Sequence, residues 1–285
     1  MLRRTTFVLA LSSALCLAAL TGCSSDEDAA PKPTGPAACL EGTPLVTAKK
    51  LTIATDAPAL TPWFEGEPST GKGFESALAY ALAKELGFER NAVVWITVPQ
   101  AEAYAKGDKD FDIGINQVAI TPARTPDVDF STGYYDVPQA LVGPGDGAAA
   151  EANTLEEIGA LRLGTLVGST STDFVTATIA PTTEAAAYGV PTDADTAVTD
   201  GTIDALVLDL PTAIRKAEAL GGGIEVLGRF APADDAQQFG VVLEKGNPLK
   251  RCVDQALSAL AKRGTIGKLR ATWVEDTVAP LVGEG

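Results

Sequence analysis

The spacing of apolar positions changes several times along the chain, and each change predicts an element. Short apolar runs at Leu51 to Thr55, Val93 to Val98, Phe111 to Ile115, Leu161 to Val167 and Ala205 to Leu208 predict strands. Between the first two, Phe74, Ala77, Leu78, Ala81, Leu82 and Leu86 recur at helical spacing and stop at Gly87, which predicts an amphipathic helix with a buried stripe. A second helix is predicted after Asn247-Pro248, where Leu249, Cys252, Val253, Ala256, Leu257, Leu260 and Ala261 share one face ahead of Gly264. Cys252 therefore belongs to the core side of that helix. Strands alternating with helices predict an α/β fold. Two extended segments, Val137 to Val142 and Phe239 to Leu243, bracket a stretch with its own βαβ texture and read as crossovers. Asp146 to Asn153, rich in Gly and Ala, reads as a flexible lead into the second half.

The N-terminal pattern is of another kind. Arg3 and Arg4 precede a stretch from Phe7 to Leu20 that is apolar apart from Ser12 and Ser13, and Leu20-Thr21-Gly22-Cys23 closes it with small residues. The run falls short of the ~20 apolar residues of a membrane span, so residues 1–22 read as a cleaved signal peptide. A Cys directly after Leu-Thr-Gly resembles the bacterial lipobox, in which that Cys is diacylated and becomes the mature N-terminus. The alternative is an ordinary signal peptide followed by an incidental Cys. Two acyl chains hold a protein stably on a bilayer, so the expected location is the outer face of the cytoplasmic membrane, anchored through Cys23. Residues 23–44 are polar and proline-rich with no apolar period, which predicts a disordered tether.

Of four Cys, Cys16 leaves with the signal and Cys23 would carry lipid, so Cys39 and Cys252 remain as one pair in an oxidising compartment. A disulfide is expected; two free thiols are the alternative, because sequence does not fix the separation of their Cα atoms. The chain has no His. That removes the commonest metal ligand and the commonest general base, and with no Cys cluster to replace it, no metal or other cofactor is expected. A formal net charge of -15 argues against nucleic acid or an anionic membrane surface as partner.

From Leu51 to Trp273 the chain resembles the extracellular solute-binding proteins that serve polar amino-acid ABC transporters. Five blocks carry the likeness. They are Leu51 to Asp56 with Pro62-Trp63-Phe64; Gly73-Phe74-Glu75 with its helix; Asp110-Phe111-Asp112 through Arg124 to Val128-Asp129-Phe130-Ser131 and Tyr134-Tyr135; Gly164 to Thr170; and Ile203-Asp204-Ala205 through Asp209. The resemblance implies a type II periplasmic-binding-protein fold: two α/β lobes joined by two hinge strands, with ligand in the cleft between them. Lobe one would comprise residues 45–138 and 239–285, and lobe two residues 139–238. Cys39 and Cys252 would then both belong with lobe one, where their bond leaves closure unrestrained. The implied partners are a small amino acid and an ABC transporter permease, with the protein a monomer.

An α-amino acid needs a cation or amide donors for its carboxylate and an anion for its ammonium. Thr121-Pro122 reads as a helix N-cap followed by Pro, which puts Arg124 in the first turn of a short helix. Arg124 can grip a carboxylate with two parallel hydrogen bonds, and the resemblance gives it that role; taken alone, an Arg near a helix start reads as a solvated cation. Gly168-Ser169-Thr170 lies between a strand and a helix, so Ser169 and Thr170 either bind an anion or merely cap the helix. The resemblance assigns Thr170 to the carboxylate and Asp209, at a strand end, to the ammonium; Asp209 could also cap the helix that begins near Pro211. Asp56 has the same strand-end placement and is a second polar contact or a solvated loop carboxylate. Trp63 and Phe64 are expected to cover the ligand's side chain.

Some positions depart from the family pattern. Ala59, with Leu60 beside it, stands where an aromatic is usual, Glu75 replaces Asp, and the first-lobe Ser positions are Asn116, Gln117 and Ala119. Asn116 and Gln117 would favour a polar ligand. Two other classes of function fit the scaffold: a dehydratase-like enzyme, which needs a poised acid in the cleft, and an extracytoplasmic ligand sensor, which needs a signalling segment that is not expected beyond Gly285. Binding without turnover is the expected behaviour.

Overall fold

The computed structural model describes residues 35–234, 236–275 and 278–283. The expected signal peptide, with Cys16, as well as Cys23 and the first part of the expected tether lie outside these residues. The chain opens with α1 (Pro36–Cys39), then β1 (Leu51–Thr55), α2 (Phe74–Glu85), β2 (Val93–Thr97), α3 (Gln100–Ala103), β3 (Ile113–Gly114), β4 (Val128–Phe130) and β5 (Tyr135–Asp136). It continues with β6 (Gln139–Pro144), α4 (Ala148–Glu151), α5 (Leu155–Gly159), β7 (Leu163–Leu166), α6 (Thr170–Phe174), β8 (Ala186–Tyr188), α7 (Pro191–Thr199), β9 (Ala205–Asp209), α8 (Leu210–Leu220) and β10 (Ile224–Arg229). β11 (Gln238–Phe239), β12 (Val242–Glu244), α9 (Leu249–Lys262) and α10 (Thr265–Arg270) complete it.

Two five-stranded sheets result, ordered β2-β1-β3-β12-β4 and β10-β6-β9-β7-β8. β1 runs parallel to both neighbours and is buried along its whole length, which is why its sequence is a continuous apolar run rather than an alternation. β5 and β11 pair antiparallel, Tyr135 with Phe239 and Asp136 with Gln238, and this ribbon joins the sheets at the two expected crossovers. The fold is thus two-lobed α/β. The segment 146–153, expected to be flexible, holds the short helix α4 with Ala149 buried. No helix among the described residues is long and apolar enough to cross a membrane.

α2 buries Phe74, Leu78 and Leu82 as its spacing predicts, together with Glu75, Ser76, Ala79 and Ala83, while Ala77 and Ala81 sit at the margin. α9 buries Leu249, Cys252, Val253, Ala256, Leu257 and Leu260 of the predicted face, while Ala261, in its last turn, is exposed. Cys252 is bonded to Cys39 with the Cα atoms 5.5 Å apart. Residues 36–44 thus depart from the disorder expected for residues 23–44: α1 packs on α9, and Leu40 and Leu45 pack against the core behind it. Closing so long a loop is worth about 5 kcal/mol in the chain-entropy model, though measured bridges more often give ~2–4 kcal/mol.

The C-terminal segment departs from the expectation that residues 239–285 belong wholly to the first lobe. The Arg229 amide donates to the Pro280 carbonyl and the Val282 amide to the Arg229 carbonyl, so the segment lies along the edge of the second sheet. Val282 is buried with Leu141, Ile158 and Phe230. Gly228 makes the room, since a Cβ there would lie 2.4 Å from Val282 Cγ1.

Candidate ligand-binding site

The parallel strands of the first sheet end together, and their C-terminal ends carry Asp56, Gln100 and Asn116. Asp56 Oδ1 accepts from the Ala57 amide and Oδ2 from the Gln100 amide, at 2.7 and 3.0 Å. Gln100 Nε2 donates to the Asn116 carbonyl at 2.6 Å. These bonds tie three loops into one wall, where open α/β sheets bind ligands. Asp56 is thus first a clamp between strand ends, with one lone pair on each oxygen already used.

Gln117 continues the wall in the left-handed region at φ 49°, unusual for a residue with a side chain. Its amide donates to Glu75 Oε1 at 2.7 Å and its side-chain nitrogen to Glu75 Oε2 at 3.2 Å. The Tyr134 hydroxyl also donates to Glu75 Oε1. Glu75 is 0% exposed. Burial raises its pKa from the usual 4.5 to about 7 against the lowering effect of these bonds, and burial and the carboxylate together push the Tyr134 phenol well up. Because the folded pKa lies above the unfolded one, Glu75 contributes stability below about pH 4.5 that is lost as pH rises through 7.

Arg124 lies beyond this wall. Residues 122–127 form turns rather than the expected helix: the Arg124 and Thr125 amides both donate to the Thr121 carbonyl, but the chain then enters β4 at Val128. Arg124 Nη1 donates to the Ala119 carbonyl at 2.8 Å, and its guanidinium lies over the Tyr104 ring, 4.1 Å from the centroid. Among the described residues Nη2 and Nε have no hydrogen-bond partner, which leaves one edge of the fork for an anion.

Trp63 and Phe64 are elsewhere. They are 1% and 0% exposed. Trp63 packs edge-on against Phe74, Tyr135 and Phe239, and Phe64 against Trp95. With no face left for a ligand, both rings serve the core. The backbone of their segment caps α2 instead: the Pro62 carbonyl accepts from the Phe74 amide, and the Trp63 carbonyl from the amides of Glu75 and Ser76.

The second lobe brings Thr170 and Asp209 into one cavity of about 220 Å³, lined also by Gln139, Asp173, Phe174 and Gln237. Asp209 ends β9 and is the N-cap of α8, its Oδ1 accepting from the Thr212 amide at 3.0 Å. Capping uses one oxygen, so a second role remains open to the other. Gln139 starts β6, accepts from Ser171 Oγ at 2.6 Å and donates to Thr170 Oγ1 at 3.4 Å, orienting the start of α6. The Ser169 hydroxyl is turned away to the Leu166 carbonyl at 2.7 Å. Among the described residues, the cavity lining holds two carboxylates, Asp173 and Asp209, and no basic side chain.

Asp56, Asn116, Gln117, Ala119 and Arg124 do not line that cavity, but they are linked to it. Ala119 bridges to Phe239, and the Ile120 amide donates to the Gln238 carbonyl, next to cavity-lining Gln237. Sequence reasoning misses Gln139, Asp173 and Gln237; a Gln at the head of β6 and a Gln just before β11 are the signals that mark Gln139 and Gln237.

Comparisons with known proteins agree with this architecture. The L-cystine-binding protein TcyJ of Escherichia coli strain K12 is 30% identical over 213 residues, covering 74% of this chain and 77% of TcyJ. The structure of an ancestral cationic amino acid solute binding protein superposes with a TM-score of 0.53 at 26% identity, covering 81% of this chain and 97% of the other. An ancestral cyclohexadienyl dehydratase, at 21% identity and TM-score 0.56 over 85% and 97% of the two chains, shares the fold. Residues 51–276 match the profile of the bacterial extracellular solute-binding proteins, family 3, and the chain belongs to that family.

Proposed function

We propose that this protein is the substrate-binding component of an amino-acid ABC importer, held at the outer face of the cytoplasmic membrane by lipid on Cys23. The observation that carries the reading is the cavity in which Asp209 and Thr170 meet, beside a wall that ends in the half-committed fork of Arg124. An α-ammonium is matched by Asp209, and an α-carboxylate by Thr170 and Arg124 when the lobes close. Two carboxylates without a basic residue among the described lining residues favour an amino acid with a further cationic or donor group, in keeping with relatives that bind L-cystine and cationic amino acids. Calorimetry of the mature protein against the twenty standard L-amino acids and L-cystine tests this. Saturable binding of a polar member, with the amino acid recovered unchanged, is expected; no binding across the panel, or conversion of the bound compound, overturns it.

The anchor rests on Leu20-Thr21-Gly22-Cys23 alone. Cys23→Ala is expected to move the protein from the membrane fraction to the soluble fraction or to halt its maturation. Unchanged membrane retention at unchanged mass would remove the lipid from Cys23.

A further inference from the structure

The geometry points to Glu75 as the positioning residue of the ligand wall, a buried carboxylate that fixes Gln117 and, through residues 116–119, the Arg124 fork, so that ligand affinity depends on its protonation state. The inference rests on the ligand site proposed above. Its basis is the convergence of three donors from two segments, the Gln117 amide, the Gln117 side chain and the Tyr134 hydroxyl, on one fully buried carboxylate. A carboxylate that only completed the core would be an odd choice, since an apolar side chain needs no partners. Here both oxygens accept, as an ionised carboxylate does and a neutral amide cannot.

What the carboxylate holds is an unfavourable conformation. Gln117 has positive φ, and its neighbours make the site: the Asn116 carbonyl is bound by Gln100, and the Ala119 carbonyl anchors Arg124. If the two bonds to Gln117 weaken, relaxation of its backbone moves both carbonyls together. Charge-assisted bonds are roughly twice as strong as neutral ones, so the ionised form holds the wall better. Affinity should then rise as Glu75 loses its proton, a step that burial moves to about pH 7.

The surroundings make such a dependence readable. Tyr134 is the titratable group that touches Glu75, and its phenol is pushed up, away from neutral pH. The loop against the start of α2 carries Glu65, Glu67 and Lys72, all exposed, and the wall itself carries Asp56 and Arg124. The chain has no His, and Cys39 and Cys252 are bonded to each other. A standard amino acid other than His or Cys keeps its α-groups charged from pH 6 to 8.

Two measurements test the proposal. In the free mature protein, amide hydrogen exchange across residues 115–120 should be faster in Glu75→Gln than in wild type. In calorimetry with the tightest-binding standard amino acid other than His or Cys, wild-type affinity should rise severalfold from pH 6 to 8 along a one-proton curve. Glu75→Gln should be flat, and weaker at pH 8 on the order of tenfold. Glu75→Asp, which restores the charge on a shorter arm, should recover part of the pH response. Wild-type affinity that stays level from pH 6 to 8 overturns the proposal, and it needs no variant to fold. Unchanged exchange in a folded Glu75→Gln also overturns it. That arm uses no ligand, so it stands even if no panel member binds and the transport reading fails.

Discussion

Asp209→Asn is expected to lower the affinity for an α-amino acid more than tenfold while leaving the affinity for its α-hydroxy analogue nearly unchanged. Asp209 caps α8 through Oδ1 and lines the cavity. Asn caps helices as well as Asp does, so the fold and the position of the side chain should survive the substitution. What is lost is the negative charge facing a buried ammonium, and hydrogen bonds to charged groups contribute about 1.5–3 kcal/mol each. The new amide donors would also point at the ammonium. The hydroxy analogue never used that charge, so the ratio of the two affinities cancels any general effect on folding or closure. Calorimetry with the two compounds on wild type and variant reads it. Equal losses for both, or none for either, would take Asp209 out of ammonium recognition.

Where the sequence was legible, one physical rule dominated the local outcome. The helical stripe of α2 and most of the buried face of α9 follow from burial of apolar surface, and the place of Asp209 on a cavity follows from its position at the C-terminal end of a strand in an open α/β sheet. Elimination among four Cys isolated the Cys39–Cys252 bridge. Features made by contacts distant in sequence were not legible. Glu75 sits in the first turn of an amphipathic helix, where an acidic residue normally faces water and meets the helix dipole; only Gln117 and Tyr134, 42 and 59 residues away, explain its burial. Trp63 and Phe64 stand in a loop without period, so nothing local distinguishes a ring that covers ligand from one that fills the core. The strap at residues 280–282 is too short to carry a pattern, and its place is set by the gap at Gly228.

The loop that carries Trp63 and Phe64 gives the largest stability effect expected. α2 has no side-chain cap; its first amides are satisfied by the carbonyls of Pro62 and Trp63, which requires the loop backbone to lie against the helix start. Gly73, at the N-cap, permits the approach. Its φ is 89°, and a Cβ there would lie 2.5 Å from Phe64 Cα and 2.6 Å from the Trp63 carbonyl oxygen. Backbone atoms cannot turn aside as a flexible side chain can, so the loop must move and the cap must open. Loss of the cap, a left-handed side chain and displacement of two core aromatics add to at least about 3 kcal/mol in Gly73→Ala, a fall in melting temperature of roughly 10 °C. Gly246→Ala is the control: Gly246 has φ 79°, but nothing lies within 4 Å of the added methyl. It should lose only the conformational part, about 1 kcal/mol. Thermal unfolding of both variants isolates the backbone contact. If the two lose the same stability, the close approach of Trp63 and Phe64 to the start of α2 is not what Gly73 provides.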